Sequence, residues 1–357
     1  MVGARPNFVK SAPVYSALAE LDGSLELVLV HTGQHYDEQM SASFIAELGL
    51  PMPDEFLGVG SGSHAEQTAR ALVGVERVLR ERAVSACIVA GDVNSTLAAA
   101  LAAVKMGIPV AHIESGLRSR DWSMPEEHNR RLTDHLSSVL FVHSAGAADN
   151  LAREGIESDS VHLVGNTMID SLLEHLDRAL AGRPWKRFGV EPGAYGLVTL
   201  HRPTLVDDKQ LLAAATEQLV RLADELPLVF PVHPRTRESL DALGLRRRLD
   251  ASAVALVEPL GYHDFVGLEA EALFVLTDSG GVQEETSALG VRCFTLRDVT
   301  ERPVTVECGT NTILGLHPAR IADIPMLLRE ERSADSIPLW DGAAGRRAAE
   351  VLLRELA

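Results

Sequence analysis

The sequence predicts a doubly wound α/β protein: two Rossmann-like domains on parallel sheets, facing each other across a cleft. Near-continuously apolar runs alternate with amphipathic stretches along the whole chain, which is the signature of repeated β-α units. The alternation pauses once, near the middle, in a stretch rich in Pro and Gly. Polar motifs directly follow the apolar runs, where open parallel sheets bind their ligands.

The first turn, "MVGARPNFVK", is a Gly-then-basic loop of the kind that leaves a strand, yet only Met1 and Val2 precede it. Losing about five buried apolar residues from a central strand forfeits roughly 7–15 kcal/mol. The expectation is therefore either a natural start several residues upstream or a first-strand position that is short or vacant. "LELVLVH", "ACIVAG", "PVAHI" and "SVLFV" read as the strands that follow. They are apolar throughout rather than alternating, as required when helices cover both faces of a sheet. Among them, "SHAEQTARALVGVERVLRER" reads as a helix. Ser63 and Glu66 have capping-box spacing, and Leu72, Val75 and Leu79 share a face.

Pro and Gly gather in "DRALAGRPWKRFGVEPGAYG", residues 177–196, which places the domain boundary there. The first domain is expected over 1–176 and the second over 177–342. "YGLVTLH", "PLVFPV", "AVALVE", "LFVLTD" and "VRCFTL" supply the second set of strands. In the last helix, Ala348, Val351, Leu352 and Leu356 fall on one face, so segment 343–357 is expected to dock back on the first domain.

Composition excludes several classes. A net charge of −17 opposes binding of nucleic acid or an anionic membrane over a broad face. Aromatics at 4% leave little for base or sugar stacking. Cys87, Cys293 and Cys308 are too scattered for a disulfide framework or a metal site, and Cys87 and Cys293 sit in strand-like runs as small buried side chains. No signal peptide precedes the first motif and no apolar run reaches membrane-spanning length, so the expected location is the cytoplasm.

"TDSGGVQEE" carries the most chemistry. A strand ends at Thr277, Gly280 and Gly281 allow close approach, and a helix starts near Val282, which aims backbone N–H groups at an anion. Glu284 and Glu285 are either helix-start charges or acceptors for ribose hydroxyls. A phosphate site beside a carboxylate points to a nucleotide. The absence of Gly-x-Gly-x-x-Gly and of a Walker lysine argues against a dinucleotide redox cofactor and ATP hydrolysis. Local cations come from Arg5, Lys10, His201, Arg202, His233, Arg235, Arg297 and Arg302. Asp92 and Glu114 follow buried strands, where burial favours proton transfer near neutrality. Glu126 and Glu127 lie in "MPEEHNRR", Asp121 and Asp134 read as solvated or structural charges, and His35 either contacts ligand or caps a helix.

In order and spacing, "GARPNFVK", "TGQHYD", "LGVGSGSHAEQT", "GDVNST", "HIESGLRS", "MPEEHNR", "VGNTMID", "TLHRP", "VHPR", "TDSGGVQEE" and "LRDVTERP" resemble the non-hydrolysing UDP-N-acetylglucosamine 2-epimerases over essentially the whole chain. The resemblance implies a glycosyltransferase-B-like fold, a homodimer, and no metal or redox cofactor. It implies that Arg5, Lys10, His201, Ser279, Gly280, Gly281, Glu285 and Arg302 hold UDP, with Phe265 on the uracil side. It matches Asp92, Glu114 and Glu126 to catalytic carboxylates and Arg130 to an arginine of the same segment, with His201 beside the reacting centre. The implied reaction interconverts UDP-GlcNAc and UDP-ManNAc by elimination of UDP to 2-acetamidoglucal and re-addition. Inversion needs protons on both faces of C2, hence two acid/base groups among Asp92, Glu114 and Glu126; which is acid and which is base is left open.

The chain departs from the family pattern at Leu205, where an Asn is usual, at Leu260, and at Glu66, where some members use an Arg for a second, activating substrate molecule. A hydrolysing 2-epimerase releasing ManNAc and UDP, a glycosyltransferase of the same fold, and a catalytically silent nucleotide-sugar-binding regulator are the alternatives.

Overall fold

The computed structural model describes residues 1–3, 5–33, 44–330 and 335–355, with the backbone alone of Arg5. His35, the side chain of Arg5 and Leu356 lie outside the described residues. The chain divides into two compact units, Met1–Glu174 with Pro338–Ala357, and His175–Ile337.

In the first unit, α1 (Arg5–Leu21) is followed by strands β1 (Val30–His31) and β2 (Glu55–Phe56). Helix α2 (His64–Glu81), β3 (Cys87–Ala90), α3 (Asn94–Lys105) and β4 (Val110–Ile113) come next. The unit continues through α4 (Pro125–Leu136), β5 (Val139–Val142), α5 (Ala145–Arg153), β6 (Val161–Leu163) and α6 (Thr167–Ala181), within which the chain passes to the second unit. β1 pairs with β2, and β3, β4, β5 and β6 form a parallel sheet in that order.

Val2 joins the two. It bridges His31 in parallel, its N–H donates to Val30 O at 2.9 Å, its carbonyl accepts from Thr32, and the Met1 ammonium donates to Ile88 O. Counting Val2 as the first strand, the strand order reverses between Val2 and β3, which is the switch point where such sheets bind ligands. The first-strand position is thus short: a single bridged residue. This also explains why "LELVLVH" forms a ladder only at Val30–His31, since its neighbours offer few backbone partners. Gly3 is demanded by space, because a Cβ there would lie 2.1 Å from Ser95 Oγ.

The second unit holds β7 (Gly196–Thr199), α7 (Lys209–Ala223), β8 (Leu228–Pro231), α8 (Pro234–Ala242), β9 (Val254–Val257) and α9 (Tyr262–Ala270). They lead into β10 (Phe274–Thr277), α10 (Gly280–Leu289), β11 (Arg292–Thr295) and β12 (Asn311–Ile313). The parallel sheet runs β12-β11-β10-β7-β8-β9, reversing between β7 and β10. Alternate strand residues feed two cores: Val198, Phe230 and Leu276 on one face, Leu197, Val229 and Val275 on the other. That double burial is why these strands read as unbroken apolar runs; each such side chain contributes about 1.5–3 kcal/mol. β2, β6 and β12, which the sequence reading did not include, lie at sheet edges, are partly exposed, and so lack the apolar signal.

The final helix α11 (Ala344–Glu355) returns to the first unit, where Ala348 and Leu352 pack with Val14, Leu18 and Phe141. The capping box forms as expected, with Ser63 N donating to Glu66 Oε2 at 2.9 Å, so Glu66 is engaged in helix capping. Cys87 and Cys293 are buried in strands. Among the described residues no helix is long and apolar enough to cross a membrane.

Candidate active site

In the first unit the loops after β3 and β4 are anchored before any ligand arrives. Ala90 O accepts from Asn7 Nδ2 at 2.6 Å and from Thr96 Oγ1 at 2.9 Å, fixing the turn into Gly91 and Asp92. His112, fully buried in β4, spans two acceptors: Gly91 O at 2.8 Å from Nε2 and Asp134 Oδ1 at 2.7 Å from Nδ1. The ring is thereby held between a backbone carbonyl and a carboxylate. Asp134 also pairs with Arg118 at 2.7 Å. Burial alone would raise its pKa, but the His112 hydrogen bond and the Arg118 charge together hold it below the ordinary carboxylate value. Asp134 is thus structural, as expected, while Asp121 caps a surface turn at Ser123.

Asp92 Oδ2 meets Arg130 Nη2 at 2.6 Å, and Asn129 Nδ2 donates to Asp92 O at 2.9 Å. Glu114 is buried and its carboxylate pairs with the buried Lys10 ammonium. Its backbone has φ +67°, a left-handed conformation that a non-glycine residue adopts only at a cost of about 1–2 kcal/mol. Each of the two carboxylates therefore has its own cation, at the switch point of the sheet.

In "MPEEHNRR" the two glutamates differ. Glu127 is fully buried and accepts from Ser119 N at 2.8 Å, Arg131 Nε at 3.1 Å and Arg130 Nη1 at 3.3 Å. Burial pushes its pKa up, and these donors outweigh burial and keep it low, so it is a fixed anion that orients Arg130. Glu126 is half-buried.

In the second unit, β7 leads into His201 and β10 into Asp278, side by side at the switch point. Buried Asp278 accepts from His201 N and Arg202 N, each at 2.8 Å through Oδ2, and from His201 Nδ1 at 3.0 Å. Burial works against its charge, but these donors lower its pKa. Helix α10 begins at Gly280 with Ser279 as N-cap, two residues earlier than the sequence suggests. Glu284 and Glu285 consequently fall beyond the first turn, and both are buried, which rules out solvated helix-start charges.

Glu284 Oε2 pairs with Arg302 Nε at 2.9 Å. Glu301, also buried, gathers Arg297 at 2.7 Å, Arg302 at 2.8 Å and Arg202 at 3.4 Å. Three guanidiniums, of Arg202, Arg297 and Arg302, are interleaved with the carboxylates of Glu284, Glu301 and Asp278 next to the start of α10, inside a chain of net charge −17. Gly280 makes room for them, since a Cβ there would lie 2.3 Å from Arg302 Nη1. Phe265 on α9 is partly buried against Leu268 and Val282. Leu205 is fully buried in the core, and Arg235 pairs with Asp207 at the surface, so neither serves this cluster.

Sequence reasoning did not single out Asp278, Glu301, Asn129 or Asn7. An acidic residue directly after a strand, as in "TDSGG", and one preceding Arg302 in "TERP" were the available signals.

The UDP-N-acetylglucosamine 2-epimerase family model matches residues 18–353. The chain belongs to that family. The UDP-N-acetylglucosamine 2-epimerase of Methanocaldococcus jannaschii is 41% identical, with 99% of this chain and 97% of the relative covered. A crystal structure of the M. jannaschii UDP-GlcNAc 2-epimerase in complex with UDP-GlcNAc and UDP superposes with a TM-score of 0.91 at 40% identity, covering 99% of this chain and 98% of that one. The UDP-2,3-diacetamido-2,3-dideoxy-D-glucuronate 2-epimerase of Pseudomonas aeruginosa is 39% identical, with 99% of this chain and 98% of the relative covered. Wall teichoic acid polymerase TagF shares the glycosyltransferase-B-like fold alone, with a TM-score of 0.56 at 9% identity over 97% of this chain and 85% of TagF.

Proposed function

We propose that this family member is a non-hydrolysing UDP-N-acetylglucosamine 2-epimerase that interconverts UDP-GlcNAc and UDP-ManNAc. The observation that carries the proposal is the pair of carboxylates, Asp92 and Glu114, each held against its own cation at the carboxyl ends of neighbouring strands. In this reading UDP lies on Arg5, Lys10, His201, Ser279, Gly280, Gly281, Glu285 and Arg302, with uracil against Phe265. The guanidiniums gathered around Glu301 and the N-terminus of α10 support a diphosphate at that place.

The C2 proton has no adjacent carbonyl to acidify it, so cleavage of the anomeric C1–O bond leads. The bonding electrons leave with UDP, whose charge the arginines and helix end stabilise. A carboxylate then removes the C2 proton, giving 2-acetamidoglucal. Protonation of C2 from the opposite face and return of the UDP oxygen to C1 complete the inversion. Two of Asp92, Glu114 and Glu126 carry the proton; Arg130 holds Asp92 in line and His201 stands by the leaving group. The reading includes a homodimer, testable by light scattering.

The test is proton NMR of UDP-GlcNAc incubated with the protein in D₂O. The expected outcome is UDP-ManNAc and UDP-GlcNAc with deuterium at C2. Accumulation of free ManNAc indicates the hydrolysing reaction instead. An unexchanged C2 proton at high enzyme concentration rejects epimerisation of this sugar. Exchange confined to UDP-2,3-diacetamido-2,3-dideoxy-D-glucuronate, the substrate in the name of the P. aeruginosa relative, moves the chemistry to that sugar.

A further inference from the structure

The helix pair that carries Phe265 and Glu285 also carries a carboxyl group to which the reaction above gives no task. Glu269 lies one turn beyond Phe265 on α9, which packs against α10. Its side chain is fully buried, and among the described residues neither carboxyl oxygen has a hydrogen-bond partner. Its neighbours on the helix, Val266 and Leu268, are both fully buried, and Leu268 belongs to an apolar cluster with Val282 and Phe265. A carboxylate buried without a partner is disfavoured against its protonated form. Burial first, and the negative charge of Glu285 second, raise the pKa of Glu269 well above the ordinary value.

Other charges on the packed elements are engaged or turned outward. On α10, Glu284 faces Arg302. On the short helix Pro184–Phe188, Lys186 is exposed and Arg187 pairs with Asp264. His263 meets His175 Nδ1 at 3.3 Å, while Asp177 and Arg178 at the end of α6 are exposed. Tyr195 donates its hydroxyl to Leu268 O at 2.5 Å, and Glu271, beyond the end of α9, acts on Tyr195. Among the described residues, Glu285 is the charge that reaches Glu269.

We propose that Glu269 is the proton-holding partner of Glu285, keeping these two carboxyl groups at one negative charge so that the ribose end of an anionic nucleotide can settle on Glu285. The proposal rests on the UDP placement given above. It makes Glu269 a positioning residue that acts through Glu285. Bound UDP adds negative charge nearby, so the protonated form of Glu269 binds it better. Above the midpoint of the free protein, one proton must be taken up for each UDP bound, and affinity falls about tenfold per pH unit.

The probe is UDP, titrated calorimetrically into the full-length wild type and Glu269→Gln from neutral to alkaline pH. Gln preserves shape and neutrality. The two proteins are expected to bind UDP within about twofold of each other at neutral pH and to diverge above it. There the wild type should weaken by about tenfold more per pH unit than the variant. Ionisation of UDP itself is common to both and cancels. Superimposed pH profiles overturn the proposal, and so does a variant that binds far more weakly at neutral pH. A wild type that fails to bind UDP at neutral pH overturns the UDP placement instead, which separates the two failures. Should Glu269→Gln not fold, the infrared difference spectrum of the wild type on adding UDP at alkaline pH decides. A protonated-carboxyl C=O band that appears with UDP supports the proposal, and a spectrum without it overturns it.

Discussion

Asp278 organises the second unit's site through three donors at once, the backbone N–H groups of His201 and Arg202 and the His201 ring. Asp278→Asn keeps the shape but turns an NH₂ group toward donors, leaving buried polar groups unsatisfied at about 1–3 kcal/mol. The expected result is an unfolding free energy, from chemical denaturation, lowered by that amount and a kcat/KM reduced roughly 5- to 150-fold as His201 loses its orientation. The pKa of Asp278 is lower when folded than when unfolded. Its stabilisation is therefore present above the unfolded carboxylate value of about 3.9 and is lost as pH falls through the folded value. The wild-type and variant stability curves should converge on acidification. In the first unit, Lys10 and Glu114 form a buried pair. Lys10→Met removes one member of this buried ion pair and should cost about 3–5 kcal/mol. C2–H exchange should fall with it, because the ammonium that faces the Glu114 carboxylate is gone. Equal exchange rates in wild type and variant would show that the ammonium has no part in the chemistry.

At the scale of elements, the fold depends on how the last helix is tied down. Asp170 on α6 accepts from Gly345 N at 2.6 Å at the start of α11, so a side chain distant in sequence serves as that helix's N-terminal partner. Gly345 itself is pressed against Pro13, where a Cβ would lie 2.6 Å from backbone. Burial raises the pKa of Asp170 to about 6 against the two backbone hydrogen bonds that lower it. The folded state therefore binds more protons than the unfolded state between about pH 4 and pH 6, and this group's contribution is largest at low pH and is lost as pH rises through about 6. The change is on the order of 3 kcal/mol. Asp170→Asn still accepts from Gly345 and should be at least as stable as wild type at pH 7. In urea denaturation, its advantage over wild type should disappear toward about pH 4. A constant difference across that range would mean that Asp170 does not titrate there.

For the whole molecule, the net charge and the site differ: the chain carries −17, while three guanidiniums gather around Glu301. Salt screens the long-range repulsion of an anionic nucleotide sugar more than it screens buried contacts. Raising ionic strength from about 10 mM to about 150 mM, which shortens the Debye length from about 30 Å to about 8 Å, should lower KM or leave it unchanged. A KM that climbs steeply with salt would mean that binding depends on exposed cations. Each unit also carries its own switch point, beside Val2 in one and between β7 and β10 in the other, and the polar motifs of the sequence fall at both.

The sequence by itself determined the parallel α/β class, the second unit's strands, the Ser63 capping box and the docking face of the last helix. These are local patterns: a strand buried on both faces must be apolar throughout, and a helix face must repeat about every 3.6 residues. It also determined which motifs gather beyond the strand ends, because only the topology of such sheets was needed to put them there. Tertiary structure decided what local patterns do not encode. It showed that one bridged residue, Val2, serves as the first strand, that Glu127 rather than Glu126 is the buried anion of its segment, and that Asp134 holds His112 and Arg118. It gathered three arginines on Glu301 and left Glu269 buried beside Glu285. Burial and ion pairing join residues far apart in the chain, so the charge state of a carboxylate belongs to its surroundings and not to its neighbours in sequence.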